Sequence, residues 1–339
     1  MKILIVKLGA LGDVLRTTPL LSGFRRKYPD SKITWLVDVR HRDILEGDVS
    51  IDELISYSPA AIEKLTKETY DLAINLDKET EALDAIMAAR ASGKLGFGRD
   101  KKGALCALDA LSAYAYRLGV DDELKFRQNK KTYQEISFEQ AGLAFQKEPY
   151  SFHLDEVSQT YADKHLTSLG VHLNSRQKPI VGINTGSGDR FAGKRLPVAS
   201  YVELARKFYC GMKATVFLLG GRDEIERNAE IARLADFPVV NTGSHTIRQF
   251  AAIVKNCDLI VSGDTTAMHI AIAVGVPVIA YFGSTCAAEI ELYGRGAKIV
   301  SEISCAPCYK KICPIDEQCM KDVQVKDIYK AAERFFTTR

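Results

Sequence analysis

Lys2 to Pro19 reads KILIVKLGALGDVLRTTP, and the reading of this stretch decides the fold. An apolar run, Ile3 to Val6, is interrupted by Gly9, Gly12 and Asp13 before a second apolar pattern begins. The spacing predicts a strand, a tight glycine turn and the start of a helix. A strand that is apolar on both faces belongs in a covered parallel sheet. The turn that follows such a strand is where open α/β sheets place their ligands. An acid at Asp13 in that turn is unsuited to pyrophosphate, and the three-glycine dinucleotide fingerprint is missing, so hydride chemistry is disfavoured.

Working outward, KITWLVDV (Lys32 to Val39) reads as a second strand, so residues 2–39 form a βαβ crossover. YDLAINLDK (Tyr70 to Lys78) reads as a third strand and KLGFGR (Lys94 to Arg99) as a fourth. KKGALCALDALSAYAYRL, Lys101 to Leu118, has apolar residues at helical spacing and predicts a helix packed on the sheet. Asp121 to Tyr150 is polar and weakly patterned. A helix over Asp155 to Leu169 ends at Gly170, and the domain boundary is expected between Tyr150 and Pro179.

The second half restarts the alternation. PIVGINTG, ATVFLLGG, PVVNTG, DLIVSGD, VPVIAYFGS and AKIV read as strands, separated by helical stretches that include TTAMHIAIAVG, with a last helix over Val325 to Phe336. The expected organisation is an N-terminal doubly wound domain over 1–165, a second over 178–322 and a C-terminal helix over 323–339. The 339 residues suit two domains, and 46% hydrophobic with 26% charged residues is a globular composition. A net charge of +3 without long basic runs argues against a nucleic-acid partner. No leader pattern and no stretch of ~20 apolar residues is found, which predicts a cytoplasmic protein.

Four strand-to-helix turns carry candidate chemistry: Gly9 to Asp13, Thr185 to Arg195, Gly220 to Glu224, and Asp264 to His269. NTGSGDRFAGKRLP (Asn184 to Pro197) offers hydroxyls, glycines, Lys194 and Arg195, which suit an anion such as phosphate, although its spacing is not that of a P-loop. SGDTTAMH places hydroxyls at a helix N-terminus, suited to a phosphate or a sugar hydroxyl. In the rival reading Asp264 or Thr265 simply caps that helix and His269 is a buried, hydrogen-bonded histidine.

The opening KILIVKLGALGDVLRTTPLL, the loop GSGDRFAGKRLP, the turn LLGGRDEIE and the run SGDTTAMHIAIAVGVPVIAYFGST resemble, in order and along essentially the whole chain, the heptosyltransferases of glycosyltransferase family nine. The resemblance implies a GT-B fold of two facing Rossmann-like domains, the first for acceptor and the second for nucleotide sugar. It implies inverting transfer of a heptose from ADP-L-glycero-D-manno-heptose to the inner core of lipopolysaccharide, with no cofactor required. The family's catalytic aspartate falls on Asp13. Its phosphate-binding residues fall on Thr185, Ser187 and Lys194, with Arg195 adjacent. Its ribose acid falls on Glu224, and its sugar-binding turn on Asp264, Thr265, Thr266 and His269.

Two turns depart from the family's pattern. Thr266 stands where glycine is usual, and GSTCAAE (Gly283 to Glu289) lacks the usual prolines. A related transferase using another nucleotide sugar on a different surface glycan is therefore an alternative, as is a nucleotide-sugar binding protein without turnover. The acceptor implied is the anionic lipid A core, met by peripheral contact with the inner membrane. Among Arg16, Arg25, Arg26, Lys27, Arg99, Lys101 and Lys102, Arg16 is the expected acceptor contact because it lies just behind Asp13. Cys305, Cys308, Cys313 and Cys319 form a cluster with partial zinc spacing, read as a structural zinc or iron-sulfur site or else as free thiols or a disulfide.

Overall fold

The computed structural model describes residues 1–187 and 193–337. The chain divides into two compact units, Met1–His153 with Ala288–Glu291, and Leu154–Ala287 with Leu292–Arg339. The first unit holds strands β1 (Lys2–Val6), β2 (Lys32–Val37), β3 (Glu53–Ser56), β4 (Thr69–Asn75), β5 (Arg90–Arg99) and β6 (Leu105–Ala107). The second holds β7 (Ile180–Asn184), β8 (Thr215–Leu219), β9 (Val240–Asn241), β10 (Leu259–Gly263), β11 (Val278–Phe282) and β12 (Gly296–Val300).

The sheet orders are β3-β2-β1-β4-β5-β6 and β12-β11-β10-β7-β8-β9. Each sheet therefore grows from its first strand to one edge and then resumes on the other side of that strand. Ile3 pairs with Ile33 of β2 and Leu72 of β4, which makes the gap between β1 and β4 the switch point of the first unit. β7 and β10 pair in parallel and form the switch point of the second. Ligands of doubly wound sheets bind beyond the carboxyl ends of the strands at such points.

The strands are apolar because both faces are covered. Ile3, Leu4, Ile5 and Val6 are fully buried, as are Leu259, Ile260 and Val261. Each such side chain contributes about 1.5–3 kcal/mol by leaving water. Helix Val198–Gly211 buries Tyr201, Leu204 and Phe208 against β7 and β8, and the C-terminal helix Val325–Thr337 covers the same core with Ile328 and Ala332.

Two expectations need correction, and one strand was not expected. The helix expected over Lys101 to Leu118 is a hairpin and a single short helix, Ala113–Arg117. Asp100 Oδ1 accepts from the N–H groups of Lys102 and Ala104, Gly103 takes a φ of +80°, and β6 returns antiparallel on β5. The edge strand β3 has no counterpart in the sequence reading, since its half-buried residues carry no apolar run. Residues 154–165, expected in the first domain, belong to the second unit, where helix Glu156–Ser168 packs on helix Ile247–Lys255. Arg248 Nη1 lies 3.0 Å from Asp155 Oδ2 there, and His165 Nε2 lies 2.8 Å from the Thr242 carbonyl.

Candidate active site

In the first unit the site is built on the turn after β1. Helix Leu11–Thr17 starts there, and Asp13 is in its first turn. The Ala10 N–H donates to Asp13 Oδ2 at 3.3 Å, and Arg16 Nη2 sits 2.8 Å from Asp13 Oδ1. The Asp13 side chain is 29% exposed, so the oriented carboxylate is open to solvent. Arg16 stacks over Tyr133, 3.9 Å from its ring centroid, and its Nη1 lies 3.8 Å from Glu289 Oε2. Tyr133 in turn shares a 2.8 Å hydrogen bond with Thr17.

Below this turn lies a buried ion pair that the sequence reading did not single out. Lys7 donates to Asp77, which follows β4, and to the Gly9 carbonyl at 2.8 Å. Asp77 Oδ2 accepts the N–H groups of Leu8 (2.6 Å) and Gly9 (3.3 Å). Burial acts against the charge on Lys7, yet Asp77, and after it Tyr133 and Asp13, hold its pKa above the usual lysine value. Burial raises the pKa of Asp77, against the pull of Lys7 and the Leu8 N–H. With a cation and two N–H donors on one carboxylate, the pair is ionised. The signal in the sequence was an acid at the carboxyl end of an apolar strand, facing a lysine at the end of its neighbour.

In the second unit the turns after β7 and β10 are tied together by Asn184, also missed in the sequence. Its Nδ2 donates to the Gly186 carbonyl (2.9 Å), Ser262 Oγ (3.2 Å) and Thr265 Oγ1 (3.2 Å). Thr265 occupies the N-cap of helix Thr266–Ala273, but its hydroxyl meets Asn184 and Ser262 and does not bond a helix N–H. Asp264 lies 3.8 Å from Lys194 Nζ and 3.9 Å from His269 Nε2, so these three expected residues converge. His269 is buried, as the rival reading had it, and still faces Asp264. Thr266 opens the helix beside them.

Lys194 is placed by its backbone. A Cβ on Gly263 would meet the Lys194 carbonyl at 2.5 Å, and Ser284 N–H donates to Gly193 O at 3.3 Å. Buried Tyr201 accepts the Leu196 N–H at 3.1 Å and lies 2.9 Å from the hydroxyl of Tyr281, anchoring the segment that carries Lys194 and Arg195. Burial raises the pKa of both tyrosines, which keeps their hydroxyls protonated.

Glu224 is buried against the Gly186 turn, where a Cβ on Gly186 would meet its Cδ at 2.4 Å, and it accepts the Gly221 N–H at 2.8 Å. Thr185 differs from expectation. It is fully buried, and its hydroxyl donates to Asn228 Oδ1 at 2.6 Å, so it braces the turn from inside. Ser187 is half-buried at the end of this turn, and residues 188–192 of the expected anion loop lie outside the described residues.

Against this geometry, the family model for glycosyltransferase family 9 (heptosyltransferase) matches residues 60–318. The chain belongs to that family. Family 9 members are glycosyltransferases, and this chain is one. Lipopolysaccharide heptosyltransferase 1 of Campylobacter coli is 25% identical over 363 aligned positions, covering 99% of each chain. A family 9 glycosyltransferase structure from Veillonella parvula superposes with a TM-score of 0.80 at 20% identity, over 100% of this chain and 98% of that one. The structure of E. coli ADP-heptose lps heptosyltransferase II gives a TM-score of 0.66 at 17% identity, over 100% and 99%. These likenesses show the two-unit GT-B fold.

The basic candidates of this family 9 chain separate cleanly. Arg25 pairs with Asp52, Arg26 with Glu148 and Arg99 with Asp84, while Lys27 donates to the Gly142 carbonyl. These four are structural ties. Arg16 alone of the seven is in contact with Asp13 among the described residues, and its guanidinium is already engaged with Asp13, Tyr133 and Glu289.

Cys305, Cys308, Cys313 and Cys319 line one cavity together with Gly193 and Ser284. Burial, and then Cys308, Cys313 and Cys305, push the Cys319 thiol up to about 11. All four are free thiols, and among the described residues no three His, Cys, Asp or Glu side chains converge closely enough to hold an ion. No helix among the described residues is long and apolar enough to cross a membrane.

Proposed function

We propose that this chain transfers a heptose from ADP-L-glycero-D-manno-heptose to the inner core of lipopolysaccharide, with inversion. The observation that carries the reading is Asp13: a partly exposed carboxylate, pre-oriented by Arg16 and the Ala10 N–H, at the first turn of a family 9 chain. The acceptor hydroxyl attacks the anomeric carbon, Asp13 takes the hydroxyl proton, and the bond from that carbon to the diphosphate oxygen breaks. ADP departs with the bonding electrons. A positioned base contributes ~10²–10⁴-fold to such a step.

Ser187, Lys194 and Arg195 receive the diphosphate, whose developing charge needs fixed positive partners. Thr185 supports them as a positioning residue. Glu224 takes the ribose, and Asp264, Thr265, Thr266 and His269 take the sugar. Arg16, beside the base, favours an anionic acceptor. That acceptor is lipid-linked, so the enzyme works in peripheral contact with the cytoplasmic face of the inner membrane. The donor named for the E. coli structure supports ADP-heptose.

Thr266 and the turn Gly283 to Glu289 favour one second reading, another nucleotide sugar on a different glycan. Glu289 of that turn reaches Arg16 instead of standing in a proline-bearing loop. The test is transfer from ADP-heptose to a defined core acceptor, read by mass spectrometry, with Asp13→Ala in parallel. The variant loses transfer and keeps ADP binding; wild-type turnover by the variant removes Asp13 as base. Greater thermal stabilisation by UDP than by ADP removes the ADP-heptose reading.

The cysteine cavity suits a structural zinc or iron in its donor set, since thiolates are ligands of thiophilic ions. The Glu317 N–H already donates to Cys313 Sγ at 3.2 Å, as a backbone N–H does toward a ligating sulfur. Binding would draw Cys305, Cys308, Cys313 and Cys319 together and cross-link the loop before the last helix, with no part in the chemistry. Elemental analysis of purified protein and of Cys305→Ser decides it: equal metal content in the two, or none in either, ends the proposal.

A further inference from the structure

We propose that Lys7 and Asp77 are positioning residues for Asp13, acting through the turn that carries it, a proposal that rests on the reading of Asp13 as the base. The pair spans the switch point of the first sheet: Lys7 follows β1, Asp77 follows β4, and both are buried. Apart from the bond between them, the hydrogen bonds of their side chains end on the turn. Lys7 holds the Gly9 carbonyl at 2.8 Å, and Asp77 holds the Leu8 and Gly9 N–H groups at 2.6 and 3.3 Å. The next residue, Ala10, gives its N–H to Asp13 at 3.3 Å.

Asp77 is itself fixed. Its N–H donates to Asn75 Oδ1 at 3.0 Å, and Asn75 Nδ2 clamps the Asp77 carbonyl at 2.9 Å and the Phe97 carbonyl at 2.8 Å. From the other side His41 packs on Gly9 so closely that a Cβ there would meet its ring at 2.9 Å. The turn is thus held from β4, from β5 and from the segment after β2. An ionised pair in this place does two things at once: it fixes backbone, and it sets the local charge near the base.

Charged and titratable groups face this centre from each neighbouring element. Arg16 comes from the helix of Asp13, Tyr133 from helix Tyr133–Gln140, Glu289 from segment Ala288–Glu291, His41 from the turn Val39–Ile44, and Lys78 and Glu79 from the residues after Asp77. Removing Lys7 leaves the anion of Asp77 uncompensated and disfavours the carboxylate form of Asp13. Removing the charge of Asp77 leaves Lys7 uncompensated and favours it. The two changes therefore move the acid limb of activity in opposite directions.

The test measures kcat and the donor KM against pH for Lys7→Met, Lys7→Arg, Asp77→Asn and the double variant Lys7→Met/Asp77→Asn, with ADP-heptose and a core acceptor. Lys7→Met is expected to lower kcat ~10- to 100-fold with the donor KM within about threefold, and to raise the acid limb by about half a unit. Asp77→Asn, which keeps the shape and an acceptor for the Leu8 N–H, lowers the limb by a similar amount. The double variant returns it toward wild type, and Lys7→Arg keeps most of kcat. Thermal stabilisation by ADP, read alongside, stays at wild type because the donor residues lie in the second unit.

Limb shifts of the same sign in both single variants, or unchanged limbs with only a lower melting temperature, overturn the proposal and leave a structural pair. If Lys7→Met does not fold, Asp77→Asn and Lys7→Arg decide by the same criteria. Asp13→Asn run beside them separates the two readings. An inactive Asp13→Asn with unshifted Lys7 and Asp77 variants refutes positioning alone, whereas an active Asp13→Asn removes the base and this proposal with it.

Discussion

Replacing Asn184 by Ala removes a side chain that holds the turns after β7 and β10 in register. Its amide donates to Gly186 O, Ser262 Oγ and Thr265 Oγ1 at 2.9, 3.2 and 3.2 Å. The two hydroxyls lie 3.0 Å apart and Ser262 also reaches the Gly263 carbonyl, so they keep partners after the change. The loss falls on the Gly186 carbonyl, whose amide partner is gone, and a buried acceptor left so costs about 1–3 kcal/mol. Taking about 2 kcal/mol, a unit of this size melts roughly 4–8 °C lower. The looser register of Ser187 and Asp264 raises the dissociation constant for ADP about tenfold, the equivalent of about 1.4 kcal/mol. Differential scanning fluorimetry with and without ADP reads both effects, with the two units allowed separate transitions. A melting temperature within about 1 °C of wild type together with full ADP stabilisation would refute the role given to Asn184.

Gly186→Ala drives a Cβ to 2.4 Å from Glu224 Cδ; because that carboxylate swings away, stability falls by only about 1 kcal/mol while ADP binding weakens, and in Glu224→Ala the same change is nearly silent, a non-additivity that calorimetry measures. Tyr201→Phe leaves the Leu196 N–H without its partner and is expected to cost about 1–3 kcal/mol, with a raised donor KM because Lys194 and Arg195 lose their anchor; an unchanged KM argues that the tyrosine serves the core alone. Asp155 caps helix Glu156–Ser168, and the Ser158 N–H, followed by Arg248, lowers its pKa. Its folded value is below its unfolded one, so its contribution of ~1 kcal/mol is present above the unfolded value of about 3.9 and is lost as pH falls below it. Urea melts of Asp155→Ala and wild type should differ at pH 7 and converge toward pH 3; a gap constant with pH contradicts the linkage.

Local patterning in the sequence carried most of the sheet architecture. Parallel strands buried on both faces must be apolar throughout, which made β1, β7, β10 and β11 legible, and glycine or acid at their carboxyl ends marked the turns that bear Asp13, Asp264 and Lys194. Where an element answers to tertiary partners, legibility ended. The Leu105–Ala107 strand has helical periodicity and becomes β because Asp100 and Gly103 turn it back on β5. Helix Glu156–Ser168 has the sequence of a surface helix anywhere, and its tertiary contacts, among them Arg248, His245 and the Thr242 carbonyl, place it with the second unit.

The candidate site divides along the same line. The sequence by itself determined that an acid stands in the first turn and that Lys194, Glu224, Asp264 and His269 follow strand ends, since these are facts of order and spacing. Tertiary structure decided what each side chain is free to do. It turned Thr185 inward onto Asn228, bound Arg16 to Asp13, Tyr133 and Glu289, and brought Asn184 and the Lys7–Asp77 pair beneath the turns. Those contacts join residues about 70 or more positions apart in several cases, and no local pattern encodes a partner at that distance. The candidate groups were written in the chain; which of them stay open to solvent, and which hold the others still, was decided by the packing of one strand end against the next.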